Sequence, residues 1–432
     1  MPVRQLIIIG ILLGVFYGPG TSARNCLAQT TGQTSQTGIV ANISNRATTY
    51  ERNAPIRVDI TSIDLIDKKV KAITGGIRQG AGLTFGLQFA TANLFKWVEL
   101  RASAVSSTKL YRYFEGAAYF PIVGNENTHG EVWFGYLRRI EDGFFGIGPR
   151  IPNTSQTNYD LEERSYNASL FHDFTKDIQA GIYVKFANTG TFNGEDDSDI
   201  PMDQLFSGNP NVVPITNWAP GFQTNTKILS YGVFGEWDAR DNERGLTKGF
   251  YVYGRFASAD GLEYKNNPVF QDYGWLETEL DGRAYIPILS DQTSLAIRAY
   301  SGIISLKGGS QIPFYNMSFL GGRRYLRGFK NFRFFGNNCL LFSGEVRQTI
   351  WQRSDQQGLD INFFADVGQV WGDNRSQTDP AVIQNKHFSG SNWRTGSGGG
   401  ITFRVSKNFA ARVDLGHSNE RNLIYFTFSR GF

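Results

Sequence analysis

The sequence predicts an all-β chain, a transmembrane antiparallel β-barrel of about sixteen strands. Three observations predict it. Apolar and polar residues alternate with period two along almost the whole chain, and helical periodicity is scarce. Beyond the N-terminal segment no stretch approaches the apolar length of a membrane helix, so the mature chain is either secreted and soluble or spans as a barrel. Phe, Tyr and Gly are abundant, at 34, 19 and 49 of 432 residues, which suits aromatic girdles and tightly packed tilted strands. Lys plus Arg (43) nearly balances Asp plus Glu (39), so composition implies no nucleic acid or other polyanion as partner.

The N-terminus reads as a secretory signal over residues 1–28. Arg4 supplies the positive region and Leu6 to Tyr17 a short apolar run. Thr21-Ser22-Ala23 or Cys26-Leu27-Ala28 precedes the cleavage site. The run is short for a membrane anchor and no basic stop-transfer flank follows it. Cleavage after Ala28 leaves Cys339 as the sole cysteine, so no intramolecular disulfide supports the fold. Residues 29–67 read as a short periplasmic leader. Thr30 to Ile60 is polar, rich in Thr, Gln, Ser and Asn and without clear periodicity, and the stretch is too short for a substantial domain. The barrel is then 68–432.

Within it, Leu229, Tyr231, Val233 and Trp237 alternate with Ser230, Gly232, Glu236 and Asp238. Leu276, Thr278, Leu280, Gly282 and Ala284 alternate with Glu277, Glu279, Asp281 and Arg283. Leu340, Phe342, Val346 and Ile350 alternate with Ser343, Glu345, Arg347 and Thr349, and Ala411, Val413 and Leu415 with Arg412 and Asp414. A soluble sandwich would share this pattern, with its apolar face buried. Three features favour the barrel. The charged faces carry both signs, as a polar lumen would. The strands run to about ten residues, the length a tilted membrane strand needs. Connections alternate between short (175–177, 289–292, 406–408) and long (142–159, 188–226, 304–337, 372–394), the pattern of periplasmic turns and external loops. The first strand is expected at 70–78, and an even count returns both termini to the periplasm. The last strand, Leu423 to Phe432, ends on an aromatic residue; Tyr425, Phe426, Phe428 and Phe432 read as a C-terminal barrel signal.

The long connection 304–337 carries Phe319-Leu320-Gly321-Gly322-Arg323-Arg324-Tyr325-Leu326-Arg327-Gly328-Phe329. Glycine lets the backbone adopt left-handed or very close conformations. An Arg-Gly-aromatic tip can place one guanidinium in a confined space, where it needs carboxylate partners. Glu345 and Asp366, on the two strands that follow, are the candidates. A solvated glycine-rich loop with scattered arginines is the alternative reading of the same residues.

Taken together, these residues resemble the barrel of the BamA/TamA superfamily, also called the bacterial surface antigen family. The likeness rests on Leu326-Arg327-Gly328-Phe329, preceded by Pro313-Phe314-Tyr315 and Gly321-Gly322. It rests also on Ser343-Gly344-Glu345-Val346-Arg347 and on Phe363-Phe364-Ala365-Asp366-Val367-Gly368-Gln369-Val370-Trp371. Further matches are Phe144-Phe145-Gly146-Ile147-Gly148, Asp238-Ala239-Arg240-Asp241-Asn242 before Lys248-Gly249, and Ala284-Tyr285-Ile286-Pro287. Each is weakly specific alone, but their order and spacing fit from about Thr74 to the C-terminus. The resemblance implies a sixteen-stranded bacterial outer-membrane barrel whose long loop folds into the lumen. It gives Arg327 as the lumenal arginine, Glu345 and Asp366 as its ion-pair partners, and Gly328 and Phe329 as shaping the tip. It also implies a weakly paired seam between first and last strands that opens laterally, where a client strand adds to the exposed edge and a thinned bilayer eases insertion.

One departure is the short segment before the barrel, which has no room for the periplasmic polypeptide-transport-associated domains of family members that assemble outer-membrane proteins. Either a separate periplasmic accessory protein or a loss of insertase activity is therefore expected. The function implied is insertion, assembly or translocation of outer-membrane proteins, or lipids, with client proteins and membrane lipid as further partners. A passive porin-like channel is the alternative, since polar lumenal faces permit one. Enzyme chemistry is not expected. The histidines are His129, His172, His387 and His417, and although His417-Ser418-Asn419 looks like a lipase motif, neighbours on a strand face opposite ways. Metal-ligand spacing is absent and no cofactor is implied. Gly396-Ser397-Gly398-Gly399-Gly400 opens a strand rather than a helix, so it reads as close strand packing or weak pairing and not as a phosphate loop.

Overall fold

The computed structural model describes residues 59–429 except 67–69, 77–81, 92–96, 195–198, 210, 212, 215–216, 242–247, 263–271, 355–356, 374–381, 383–384 and 407–408. The expected signal peptide, most of the leader and Phe432 lie outside the described residues.

Among the described residues, seventeen strands follow one another as an antiparallel meander. They are β1 (Asp59–Ile66), β2 (Val70–Gly76), β3 (Thr84–Ala90), β4 (Glu99–Ser107), β5 (Arg112–Phe120) and β6 (Thr128–Phe144). Next come β7 (Thr157–Asp173), β8 (Ile178–Asn193), β9 (Asn225–Asp238), β10 (Gly249–Gly261), β11 (Gly274–Ile288) and β12 (Ser290–Leu306). The last are β13 (Asn338–Ser354), β14 (Gln357–Trp371), β15 (Arg394–Ser406), β16 (Phe409–Ser418) and β17 (Asn422–Ser429). A two-residue strap, Ile200–Pro201, also joins the sheet, parallel to the start of β7. The sixteen strands from Val70 onward give the expected count. β1 is additional: it lies inside the stretch read as leader and pairs from Asp59↔Gly76 to Ile66↔Val70.

The sheet is inside out by the standards of a water-soluble protein. Leu280 is 53% exposed while its neighbour Asp281 is 3% exposed, and Val413 and Arg412 repeat the contrast at 43% and 4%. Exposed Phe85, Leu87, Val233, Phe256, Val346 and Ile424 extend this apolar outer band around the sheet. Water would penalise so continuous an apolar surface, whereas hydrocarbon accommodates it. The fold is thus a transmembrane barrel with a charged, buried lumen.

Strand length departs from the expected ten or so. β1–β5, β16 and β17 have 7 to 10 residues, while β6–β15 have 13 to 17. The middle strands outgrow the lipid. At the facing ends of β6 and β7, Asp142, Phe144, Thr157, Asn158 and Tyr159 are all buried beneath loops. For the same reason the loop between them shrinks to 145–156. The other long loops, 194–224, 307–337 and 372–393, leave from the same end. There Phe144, Ile147, Phe206, Phe222, Phe314 and Phe335 pack into a shared apolar core. At the opposite end Leu289 alone joins β11 to β12, at φ +62.

Candidate functional site

The loop 307–337 turns inward through local geometry. Pro313 leads into a helical turn, Phe314–Asn316, and Ser318–Leu320 pairs with Phe334–Gly336 as a short hairpin. Its tip tightens where Gly322 N donates to Phe329 O at 3.0 Å and Leu326 N to Gly322 O at 3.1 Å. Leu326, Phe329 and Phe334 then pack with Leu320, Cys339, Leu341 and Val370, so the tip is anchored on the inner wall by β13 and β14. Burial of each large apolar side chain contributes roughly 1.5–3 kcal/mol.

This anchoring carries Arg327 onto two carboxylates. Its Nε and Nη2 donate to Asp366 Oδ2 and Oδ1 at 2.8 and 2.7 Å, and its backbone N also donates to Oδ2 at 3.0 Å. Nη1 donates to Glu345 Oε2 at 2.6 Å. The guanidinium stacks on Phe364, with Cζ 3.5 Å from the ring centroid. Arg327, Glu345, Asp366 and Phe364 are all buried. A planar fork satisfied on both sides and covered by an aromatic face is the arrangement that makes a desolvated guanidinium tolerable.

The network extends along the wall. Glu345 Oε1 also accepts from Arg347 Nε at 2.7 Å and from Arg412 Nη1 at 2.9 Å, while Arg412 Nη2 reaches Oε2 at 2.9 Å. Arg412 Nε in turn donates to Asp414 Oδ2 at 2.6 Å, and Asn362 Nδ2 to Asp414 Oδ1 at 3.0 Å. Three guanidiniums thus meet three carboxylates across β13, β14, β16 and the loop.

On its other side the tip is fastened to the end of the chain. Gly328 N donates to Tyr425 Oη at 2.7 Å, and Ser418 Oγ donates to Gly328 O at 2.7 Å. Strand register explains how one tip reaches both sides. Ser343, Asp366, Gly396 and Ser418 are successive partners across β13, β14, β15 and β16. Arg327 binds Asp366 and Gly328 binds Ser418, so the loop must cross above Gly396 between them. A Cβ at Gly396 would sit 1.8 Å from Arg327 O. Gly328 itself has φ +92, and a Cβ there would lie 2.5 Å from His417 O. Further out, Arg333 Nε and Nη2 donate to the two oxygens of Glu420, each at 2.8 Å, and Nη2 also donates to Ile151 O at 2.6 Å.

The structure therefore brings Leu326, Arg327, Gly328 and Phe329 together with Glu345 and Asp366. It divides the residues grouped as a C-terminal signal. Phe426 is 68% exposed on the lipid face, whereas Tyr425 is 1% exposed and clamps the loop. Sequence reading did not assign Tyr425, Ser418, Gly396 or Arg412 to the site. Period-two alternation in β17 was the available signal, because it sets Tyr425 on the face opposite Ile424 and Phe426. His417 Nδ1 meets Asn422 Oδ1 at 2.7 Å on the exposed face, away from the buried Ser418 hydroxyl. Among the described residues no group of three or more His, Cys, Asp or Glu side chains is placed to hold a metal ion.

A family profile described as the Omp85 superfamily domain matches residues 136–431. No curated protein matches the chain. Among solved structures, BamA from Haemophilus ducreyi lacking POTRA domains 1–3 is similar over 89% of this chain and 77% of its own, with a TM-score of 0.60 and 12% identity. CdiB from Escherichia coli is similar over 88% of this chain and 68% of its own, with a TM-score of 0.54 and 13% identity. At such identities the likeness is one of fold.

Proposed function

The chain belongs to the Omp85 superfamily, and from that premise we propose that it is an outer-membrane barrel that inserts, assembles or exports outer-membrane proteins, or lipids. It works with a separate periplasmic accessory protein that delivers clients. The observation that carries this reading is the tie made by Arg327, which fastens the long loop to Glu345 and Asp366 while Gly328 holds Ser418 and Tyr425. A loop fixed both to the barrel's middle and to its last strand sets the shape of the sheet beside that strand. There an incoming strand pairs by backbone hydrogen bonds. The same packed loop occupies lumen that a wide passive pore would need open.

The test compares folding rates of a generic outer-membrane protein in two sets of liposomes, one containing this barrel and one an unrelated porin at equal density. Acceleration specific to this barrel and lost in Arg327→Ala supports the reading. Equal rates in both, even with periplasmic extract added, overturn it, and single-channel conductance then tests the porin-like alternative.

A further inference from the structure

The strand β1 stands outside the expected sixteen, and its register defines its effect on the sheet. All seven residues of β2 have a partner in β1, from Ile66↔Val70 to Asp59↔Gly76. On the other side β2 pairs with β3, from Val70↔Phe89 to Gly75↔Thr84. Both edges of β2 are therefore taken. β17 is hydrogen-bonded to β16 and lies close to β1 and to β2. So β1 stands between the first and last of the sixteen strands, on the edge where a further strand would add by backbone hydrogen bonds.

The ladder holding β1 is weaker than those of the wall. β1 has eight residues, against 13 to 17 in β6–β15. Its register shifts between Asp64 and Ile66, a bulge that interrupts the ladder. Odd-numbered strands of the meander run the same way, so β17 meets β1 only in parallel, the less stable pairing per residue. The tether acts in the opposite sense. Residues 67–69 alone separate β1 from β2, and so short a linker gives an effective concentration of about a millimolar. For equal pairing, a free strand at about a micromolar competes at a disadvantage of about a thousandfold.

We infer that β1 is a resident strand that keeps the edge of β2 from any other, so that a client strand pairs there only after β1 has left. A weak ladder on a short tether suits that role: it excludes stray strands at low concentration, yet yields to a client delivered at high local concentration. The segment that fits the vacated edge is extended, antiparallel to β2 and seven residues long, the length of β2. The client in this inference rests on the insertion reading, whereas occupation of the edge by β1 stands without it.

The experiment uses disulfide capture in the full chain, folded in liposomes under mild oxidation; Cys339 is buried and stays out of the exchange. Thr61→Cys with Thr74→Cys joins register partners and should crosslink in high yield. Asp59→Cys with Ala72→Cys lies four positions out of register and should not. Equal yields overturn the docking of β1. Next, a synthetic peptide of residues 59–66 bearing Thr61→Cys is added at micromolar concentration to a barrel bearing Thr74→Cys alone. Capture should be negligible while β1 is in place. Ser62→Pro with Ile63→Pro removes two successive donors, one of which faces β2 because donors alternate between edges. Capture should then rise by about a thousandfold. Glycine at the same two positions weakens pairing without removing donors, should give an intermediate rise, and serves if the proline pair fails to fold. No rise in a variant that keeps its folded gel mobility overturns the inference, because something other than β1 then guards the edge. Faster client folding in the same variant than in wild type supports release of β1 as the step before insertion. Capture without any acceleration over the unrelated porin overturns the insertion reading alone and leaves β1 as the occupant of the edge.

Discussion

Tyr425 on the last strand accepts a hydrogen bond from the backbone N–H of Gly328, 97 positions earlier in the chain, at 2.7 Å. The hydroxyl also lies 3.4 Å from Phe329 O. One phenol thus joins the tip of the lumenal loop to the barrel's terminal strand, and removing it strands a buried amide. Tyr425→Phe is expected to cost about 1–3 kcal/mol and to expose the loop. Limited trypsin digestion checks this: cleavage after Arg323, Arg324 or Arg327 should rise severalfold while the barrel keeps its folded gel mobility. Unchanged cleavage would show that the bond does not hold the tip.

Arg327→Ala removes the cation from two buried carboxylates at once. Glu345 keeps Arg347 and Arg412, but Asp366 loses both guanidinium hydrogen bonds and is left with the one from the backbone N–H at position 327. Its backbone bond can persist only if the tip stays in place. Breaking a buried pair costs about 3–5 kcal/mol, read as a lower urea midpoint. Arg327→Lys should fall between, because an ammonium cannot bridge both carboxylates in the same plane. A lysine variant as stable as wild type would refute the fork geometry as the source of stability.

Gly396→Ala tests the crossing of the loop over β15. The added methyl would meet Arg327 O at 1.8 Å, a backbone atom that cannot swing aside. Overpacking of this kind costs about 1–3 kcal/mol, and the loop should undock even though every partner of Arg327 is intact. Gly344→Ala is the matched control, since a Cβ there meets nothing within 4 Å. Protease sensitivity that rises in the first variant and not in the second supports the crossing.

Cys339 reports on the same docking without perturbing it. Its thiol is fully buried among Leu320, Leu326, Phe329 and Phe334. Maleimide should therefore label Cys339 only when the loop leaves. Labelling of the native barrel should be slow and should accelerate in Tyr425→Phe, Gly396→Ala and Arg327→Ala. Equal rates in wild type and all three variants would place the opening elsewhere.

Much of this architecture was legible because alternation is a local property. The run Leu276 to Ala284 already separates the lipid face from the lumenal one. What it could not say is which face points inward, since a sandwich and a barrel share the pattern and differ only in solvent. β1 was missed because its eight residues lie within 29–67, the stretch read as leader, and its pairing with β2 is tertiary. Strand lengths were underestimated because alternation continues past the membrane, where loops rather than lipid cover both faces of β6 and β7. Arg327, Glu345 and Asp366 came from a motif. Gly396 and Ser418 could not, because their role depends on a register that aligns them with Asp366 across three strands.

Glu345 accepts from Arg327, Arg347 and Arg412 together, and this has a consequence for heredity. A lineage cannot exchange any one of those arginines without altering the balance around the other two, so the effects of substitution are non-additive. Change at these four positions must come as correlated steps, with the order of steps constrained. Val346, one residue away and turned toward lipid, is constrained by apolarity and is expected to drift alone. A single strand is therefore expected to carry two evolutionary tempos, interleaved residue by residue.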